Sequence, residues 1–379
     1  MEIKTVLYLL RDKLENLPPS MSQITTLCEL GCQVKVVTMH TSDYIHSFYA
    51  GQNVEFITLK KRKPCKIGAV NKVQNLLAYR RLVREVIKNH PHDLLWVGSG
   101  DTARYCRDIV AEEKPLVLNI YELYDKAPQV LKAIKPIAQN AQSVVVPEYN
   151  RAHILKVWLG LRRTPVIIPN KPRFPEVKIL PETQAVVDKL KAMDKKIVLY
   201  QGWIGKGRDV TRVAAALNTL PNKDDFALVL MGSATASDSI SSIQEIFTNT
   251  IHIPFLQPPQ HLFVTEVAQM GIATYDDSSL NNIFCAPNKI YEYAEKNVPI
   301  LARNIPGLSS TVGAFKAGVC ADMDDIQSIA DAIREISDNH TQYVNSLKDF
   351  LNEYSIEDSI RKIIRSCEES MNHESKQDK

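Results

Sequence analysis

Leu199-Tyr-Gln-Gly-Trp-Ile-Gly-Lys-Gly-Arg-Asp209 is the stretch on which the reading of this chain turns. An apolar run, Ile197–Gln201, leads into it, and a helical pattern, Val210–Leu217, follows. Between them Gly202, Gly205 and Gly207 bracket Lys206 and precede Arg208. Glycines let a backbone approach a ligand closely, and a helix start offers unpaired N–H groups and a positive dipole end. Two cations beside such a turn suit phosphate. The bland alternative is a glycine-rich turn with two solvated cations. The GxxxxGK[ST] pattern is absent, which argues against a Walker-type ATPase.

Outward from this stretch, short Val-, Ile- and Leu-rich runs alternate with helical periods, the pattern of a parallel α/β sheet. In the first half the spacing predicts strands over Lys4–Leu10, Gln33–Met39, Val54–Thr58, Leu94–Val97, Leu116–Ile120 and Ser143–Val146. Helices are predicted over Ser22–Leu30, Lys72–Asn89 and Ala103–Glu112. Residues 164–183 then carry five prolines, which reads as a short strand, Val166–Ile168, and an interdomain linker. Beyond it, strands are predicted at Ile197–Gln201, Phe226–Met231, Ile251–Phe255, Ile272–Thr274 and Pro299–Ala302. Helices are predicted at Gln260–Gln269, Lys289–Ala294, Ile326–Ile336 and, last, an amphipathic Ile356–Ser370.

The length, 379 residues, fits two domains at about 150 residues each. A composition of 45% hydrophobic and 23% charged residues excludes collagen, low-complexity and disulfide-scaffold classes. Residues 1–170 hold 24 Lys+Arg against 15 Asp+Glu, and residues 171–379 hold 22 against 28, a basic half joined to an acidic half. Seven cysteines, with no CxxC pair, give no zinc or redox motif and fit a reducing compartment. The apolar run Thr5–Leu10 is too short for a signal peptide or a membrane span. The expectation is a cytoplasmic protein, with peripheral attachment at the inner membrane face as a further option.

A second motif, Asp276-Asp-Ser-Ser-Leu-Asn-Asn-Ile-Phe-Cys-Ala-Pro-Asn-Lys-Ile-Tyr-Glu-Tyr-Ala-Glu295, is followed by Lys-Asn-Val-Pro-Ile-Leu-Ala302. Pro287 opens a helix near its first position, with Asn288 and Lys289 in the first turn and Glu292 on the same face. A cation at a helix start can hold a diphosphate, and a carboxylate one turn deeper can accept both hydroxyls of a ribose. The competing reading is an i,i+3 surface ion pair.

Taken together, the two motifs resemble the C-terminal half of GT-B glycosyltransferases, most closely the family-four type that uses nucleotide-sugars. Ala227–Ser233, Ile251–Leu262 and the segment at 287–302 follow that family's order and spacing over roughly residues 195–320. The resemblance implies an α/β GT-B fold of two Rossmann-like domains with parallel sheets facing a central cleft. It divides the chain into an acceptor-binding domain over 1–170, a linker over 171–195, a nucleotide-sugar-binding domain over 196–354 and a helix over 355–379 that crosses back to the first domain. It implies a hexosyltransferase-like enzyme that moves a sugar from a UDP- or GDP-linked donor to a glycan or lipid-linked acceptor in cell-surface polysaccharide synthesis. The transfer would be retaining and would need neither metal nor cofactor. Arg208 aligns best with the family's diphosphate cation, with Lys206 as a second candidate. Lys289 resembles the second phosphate cation and Glu292 the ribose glutamate. Gly202 and Asn288 complete the donor site. The family often has a second glutamate eight positions earlier, where this chain has Phe284. Asp277, Asn281 and Asn282 are candidate substitutes. This departure leaves a non-catalytic, glycosyltransferase-like partner subunit as an alternative, and a nucleotide-sugar epimerase of the same fold is another.

Three features of the first half remain. Gly98-Ser-Gly-Asp-Thr-Ala103 follows a strand and matches GxGxxA, with Glu122 placed 22 residues after Gly100, the pattern of a Rossmann oxidoreductase. Its late position and Asp101 argue against that, and a tight turn at a sheet edge is the simpler reading. Glu122 and Asp125 lie where the resembling family meets the transferring sugar, so they are candidates for sugar or acceptor contacts. The cations of Lys60–Lys66 and Arg80–Arg84 read as a solvated face or as a contact for an anionic membrane surface. No nucleic-acid motif accompanies them.

Overall fold

The computed structural model describes residues 2–59, 68–174, 176–205, 207–234 and 240–377. The chain divides into two compact units, Met1–Arg173 with Tyr354–Lys379, and Phe174–Glu353. The first holds seven strands: β1 (Thr5–Leu10), β2 (Gln33–Thr38), β3 (Val54–Thr58), β4 (Leu94–Val97), β5 (Leu116–Asn119), β6 (Ser143–Val146) and β7 (Val166–Ile167). Their order is β3-β2-β1-β4-β5-β6-β7, and every pairing is parallel. The second holds β8 (Lys196–Gln201), β9 (Phe226–Met231), β10 (Thr250–Ile253), β11 (Met270–Ala273), β12 (Ile300–Arg303) and β13 (Gly318–Ala321), in the order β10-β9-β8-β11-β12-β13, again all parallel. Both units are Rossmann-like α/β sheets. In each, the strand order reverses once, between β1 and β4 and between β8 and β11. Such switch points are where open α/β sheets bind ligands.

The strands are apolar on both faces because helices cover both. In β8, Val198 and Tyr200 join one core and Ile197 and Leu199 the other, as period-two alternation requires. The final helix, Ile356–Gln377, buries Ile356, Ile360, Ile363 and Cys367 in the first unit's core. These residues recur every three or four positions, one helical face, and each fully buried isoleucine contributes roughly 1.5–3 kcal/mol.

The differences from expectation are local. Gly318–Ala321 is a strand that its four residues, without visible periodicity, do not announce. Residues 171–195, read as linker, contain a helix, Pro181–Lys191, opened by a proline at its first position. The helix expected over Ala103–Glu112 breaks at Cys106 into Gly100–Tyr105 and Arg107–Val110. The one expected over Gln260–Gln269 is helical only over His261–Thr265. Gly98–Ala103 is not at a sheet edge, because β4 lies between β1 and β5. Among the described residues no helix is long and apolar enough to cross a membrane.

Candidate functional site

At the switch point of the second sheet, β8 ends in Gly202, whose φ of 124° only glycine adopts readily. Its carbonyl occupies the place a Cβ on Gly232 would need, so the ends of β8 and β9 close tightly together. The loop 202–209 then folds back across the sheet. Ile204 N–H donates to the Ser233 carbonyl at 2.8 Å, Asp276 N–H donates to the Gly207 carbonyl at 3.1 Å, and the Thr274 hydroxyl donates to the Arg208 carbonyl.

This holds the Arg208 guanidinium over two aromatic faces, 4.4 Å from the Tyr275 ring centre and 5.8 Å from that of Trp203. Lys289 arrives from the helix Asn288–Glu295. Its ammonium lies 4.2 Å from the Tyr200 ring centre and 5.7 Å from that of Tyr275. The two cations thus share one ring. The helix is pinned there by Tyr293, whose hydroxyl lies 3.2 Å from the carbonyls of Leu199 and Ile272 and accepts from Gln201 N–H. Pro287 is the residue before this helix rather than its first, and half-buried Asn288 begins it.

Among the described residues, neither Arg208 nor Lys289 enters an ion pair. Lys289 is pushed down to about 7, first by burial and then by Arg208, while Glu292 works the other way. The i,i+3 surface pair weighed for Lys289 and Glu292 does not form. Glu292 is buried instead, 8% exposed, and accepts from the Gln201 amide. His261 Nε2 lies 3.6 Å from the same carboxylate, and Thr265 donates to Gln201 Oε1 at 2.8 Å. The Nδ1 of His261 is buried and, among the described residues, has no hydrogen-bond partner.

Arg208, Lys289, Glu292 and Gly202 therefore come together, with Gly202 passing so close that a Cβ there would be 3.3 Å from the lysine ammonium. Lys206 lies outside the described residues. Asp277 is exposed, 3.9 Å from Arg303. Its neighbour Asp276 organises the loop: it accepts from Ser278 N–H and from the Asn282 amide, both at 2.9 Å. Burial pushes the Asp276 carboxyl up, but these bonds and Arg208 outweigh it, and it sits below the usual carboxylate range. Asn282 thus spends its amide inside the loop, and Asn281 is half-buried beside it.

Sequence reasoning missed Gln201, His261 and Thr265 around Glu292, and the aromatic floor of Tyr200, Trp203 and Tyr275. Only the aromatics gave a signal, standing next to each loop. It also missed Arg303, buried at 8% side-chain exposure between Asp209 at 3.1 Å and Asp324 at 2.6 Å. Burial works against that charge, but Asp209 and then Asp324 outweigh it and hold the guanidinium above its ordinary range.

In the first unit, Glu122 is half-exposed and 3.8 Å from Arg151, which donates to the Tyr121 carbonyl. Asp125 is half-buried on the same loop. In the Gly98–Ala103 turn, Ser99 caps a helix and Asp101 pairs with Arg11 at 2.8 Å. A Cβ on Gly98 or Gly100 would meet the rings of Tyr8 and Tyr124, so both glycines serve internal packing rather than a pyrophosphate. Asp108 takes up Arg80 in a two-pronged contact at 2.7 and 2.8 Å and Arg84 at 3.4 Å. Lys60–Lys66 lies outside the described residues.

No family model and no curated protein matches the sequence. Solved structures do match over nearly the whole chain. The sucrose-phosphate synthase of Thermosynechococcus elongatus is 14% identical, with 99% of this chain and 98% of that one covered and a TM-score of 0.65. Anabaena HepE, solved in complex with UDP and glucose, is 13% identical over 98% and 100%, with a TM-score of 0.66. A glycosyltransferase from Rickettsia africae is 14% identical over 97% and 99%, with a TM-score of 0.69. The likeness is one of fold: this chain has the two Rossmann-like parallel sheets of the GT-B glycosyltransferases.

Proposed function

We infer that the chain is a nucleotide-sugar-dependent glycosyltransferase of the family-four type. Its donor site is the switch point of the unit Phe174–Glu353. One observation carries this reading. Two cations, Arg208 and Lys289, meet at one aromatic floor, and among the described residues neither is closed into an ion pair. One of them is already pushed down to about 7 by burial and by the other. A donor diphosphate supplies the missing negative charge. Glu292, one turn deeper, accepts the ribose hydroxyls, and Gln201 and His261 hold its carboxylate in place. That HepE, of the same fold, was solved with UDP and glucose supports a UDP-linked donor, with GDP as the other candidate.

As the glycosidic bond to the diphosphate breaks, negative charge grows on the leaving oxygens. Fixed cations stabilise that charge without reorganising. The acceptor, a glycan or lipid-linked glycan held by the first unit with Glu122 and Asp125 as candidate contacts, attacks on the face the diphosphate leaves, and the anomeric configuration is retained. The protein cations do the work of a metal. A second reading, a non-catalytic subunit that keeps the nucleotide site, is favoured by Phe284 alone, which stands where the family often has a glutamate.

Calorimetric titration of UDP, GDP and NADH separates these readings from the oxidoreductase. Binding of UDP or GDP that Arg208→Ala and Lys289→Ala each weaken about tenfold to a hundredfold supports the site. Failure of both nucleotides to bind, or binding of NADH instead, overturns it. Donor hydrolysis across a panel of nucleotide-sugars then distinguishes the enzyme from the silent subunit.

A further inference from the structure

The first unit contains a groove of about 680 Å³ that the donor site does not use. It opens at the N-terminal ends of β6 and β7, opposite the strand ends where Rossmann-like sheets hold nucleotides. Its size is that of a small-molecule site. Arg162 and Arg163 enter it from the loop before β7, and Lys362 from the final helix. Among the described residues no acidic residue lines it.

All three cations are exposed, and among the described residues none of them enters an ion pair. The walls between them are tied together. The Gln142 amide donates to the Ser366 hydroxyl at 2.9 Å, and the Ser359 hydroxyl donates to the Ile167 carbonyl at 2.9 Å. Arg163 reaches the Ser366 hydroxyl at 3.4 Å, a long contact that leaves the rest of its fork open. Ser359, Lys362 and Ser366 recur at helical spacing on one face of Ile356–Gln377.

A helix C-terminus attracts cations, and Arg162 and Arg163 follow the helix that ends at Leu159. That accounts for the two arginines. It does not account for a third cation brought in by a helix almost 200 residues later in the chain, nor for the absence of any carboxylate. The apolar side chains of Leu161, Val166 and Ile167 line the same groove.

We propose that this groove binds a phosphate ester of a polyol. The phosphate is taken by Arg162, Arg163 and Lys362, and the hydroxyl-bearing body lies along the serine and threonine side of the wall. A phosphorylated sugar and a phosphatidylglycerol headgroup share this chemistry. The site is separate from the donor diphosphate site and stands or falls independently of it.

The test uses full-length Arg208→Ala/Lys289→Ala protein, in which the donor site is disabled. Glycerol phosphate and inorganic pyrophosphate are titrated calorimetrically, and co-sedimentation is measured with phosphatidylglycerol vesicles against phosphatidylcholine vesicles. Saturable binding is expected, weakened at least tenfold when R162Q, R163Q and K362Q are added. It should be unchanged when three exposed lysines elsewhere, Lys132, Lys189 and Lys348, are replaced by Gln at the same net charge. Binding of glycerol phosphate identifies a free phosphate ester as ligand, binding to phosphatidylglycerol vesicles alone identifies a lipid headgroup, and binding of pyrophosphate alone overturns the ester. Binding of neither, or equal losses in the two triple variants, overturns the proposal. The replaced side chains are all exposed, so thermal unfolding should confirm that both triple variants stay folded.

Discussion

The two sheets present the same switch point and treat its charge in opposite ways. Between β1 and β4, Arg11 is met by Asp101 at 2.8 Å and Asp12 at 3.0 Å, and the turn glycines are filled by Tyr8 and Tyr124. Between β8 and β11, Arg208 and Lys289 lie against aromatic faces and, among the described residues, enter no ion pair. The second unit even supplies its own contrast. Arg303 is buried as well, yet Asp209 and Asp324 neutralise it. Topology alone therefore does not make a site. What separates the two switch points is whether the protein compensates its own cations or leaves them for a ligand.

That contrast predicts opposite signs for two lysine- and arginine-removing changes. Arg303→Met leaves Asp209, whose side chain is only 9% exposed, with Arg212 at 3.2 Å as its remaining partner, and should cost about 3 kcal/mol, the low end for a broken buried pair because Arg212 stays and Asp324 is in water. Lys289→Met removes a charge that burial and Arg208 disfavour and that Glu292 only partly offsets, and it should raise the melting temperature, by on the order of 2–4 °C for each kcal/mol recovered. It should at the same time weaken nucleotide binding about tenfold to a hundredfold. Calorimetric unfolding of the two variants side by side checks this, and a Lys289→Met protein less stable than the native chain would break the comparison.

The same lysine sets a pH dependence. With Lys289 at about 7 in the free protein, its ammonium is fully present below that pH. A bound diphosphate raises its pKa, so above pH 7 binding must take up a proton. Nucleotide affinity should be flat below pH 7 and fall by up to about tenfold per pH unit above it. For folding the sign is reversed. An unfolded lysine keeps its proton to about 10.4. The unfolded chain therefore binds more protons between pH 7 and that value, and stability rises across this window. Lys289→Arg should flatten both curves.

How much of this the sequence showed depends on the kind of signal. Twelve of the strands stand out as apolar runs, because a parallel strand buried on both faces must be apolar throughout. Gly318–Ala321 does not, because four residues carry no period. Arg208, Lys289 and Glu292 are legible as two motifs of fixed spacing. His261, Gln201 and Thr265 are not, because they reach Glu292 from other elements, and nothing in local spacing records a contact across 91 residues. Net charge misleads: the unit Phe174–Glu353 holds 15 basic and 22 acidic residues, yet it carries the proposed anion site. At the switch point Asp209 and Asp324 are spent on Arg303 and Asp276 on the loop frame, while Arg208 and Lys289 enter no ion pair among the described residues, an allocation that only the fold reveals.

The smallest expected effect concerns the first switch point. Asp101 is about a third exposed, and its pair with Arg11 is open to solvent. Asp101→Asn should therefore cost no more than about 1 kcal/mol of stability. If that switch point is closed by its own charges and tyrosines, nucleotide affinity should stay within twofold of the native value, because its charges are already spent on one another. A several-fold loss of UDP or GDP binding in Asp101→Asn would show that the first switch point also faces the nucleotide. Charge compensation would then no longer separate the two sheets.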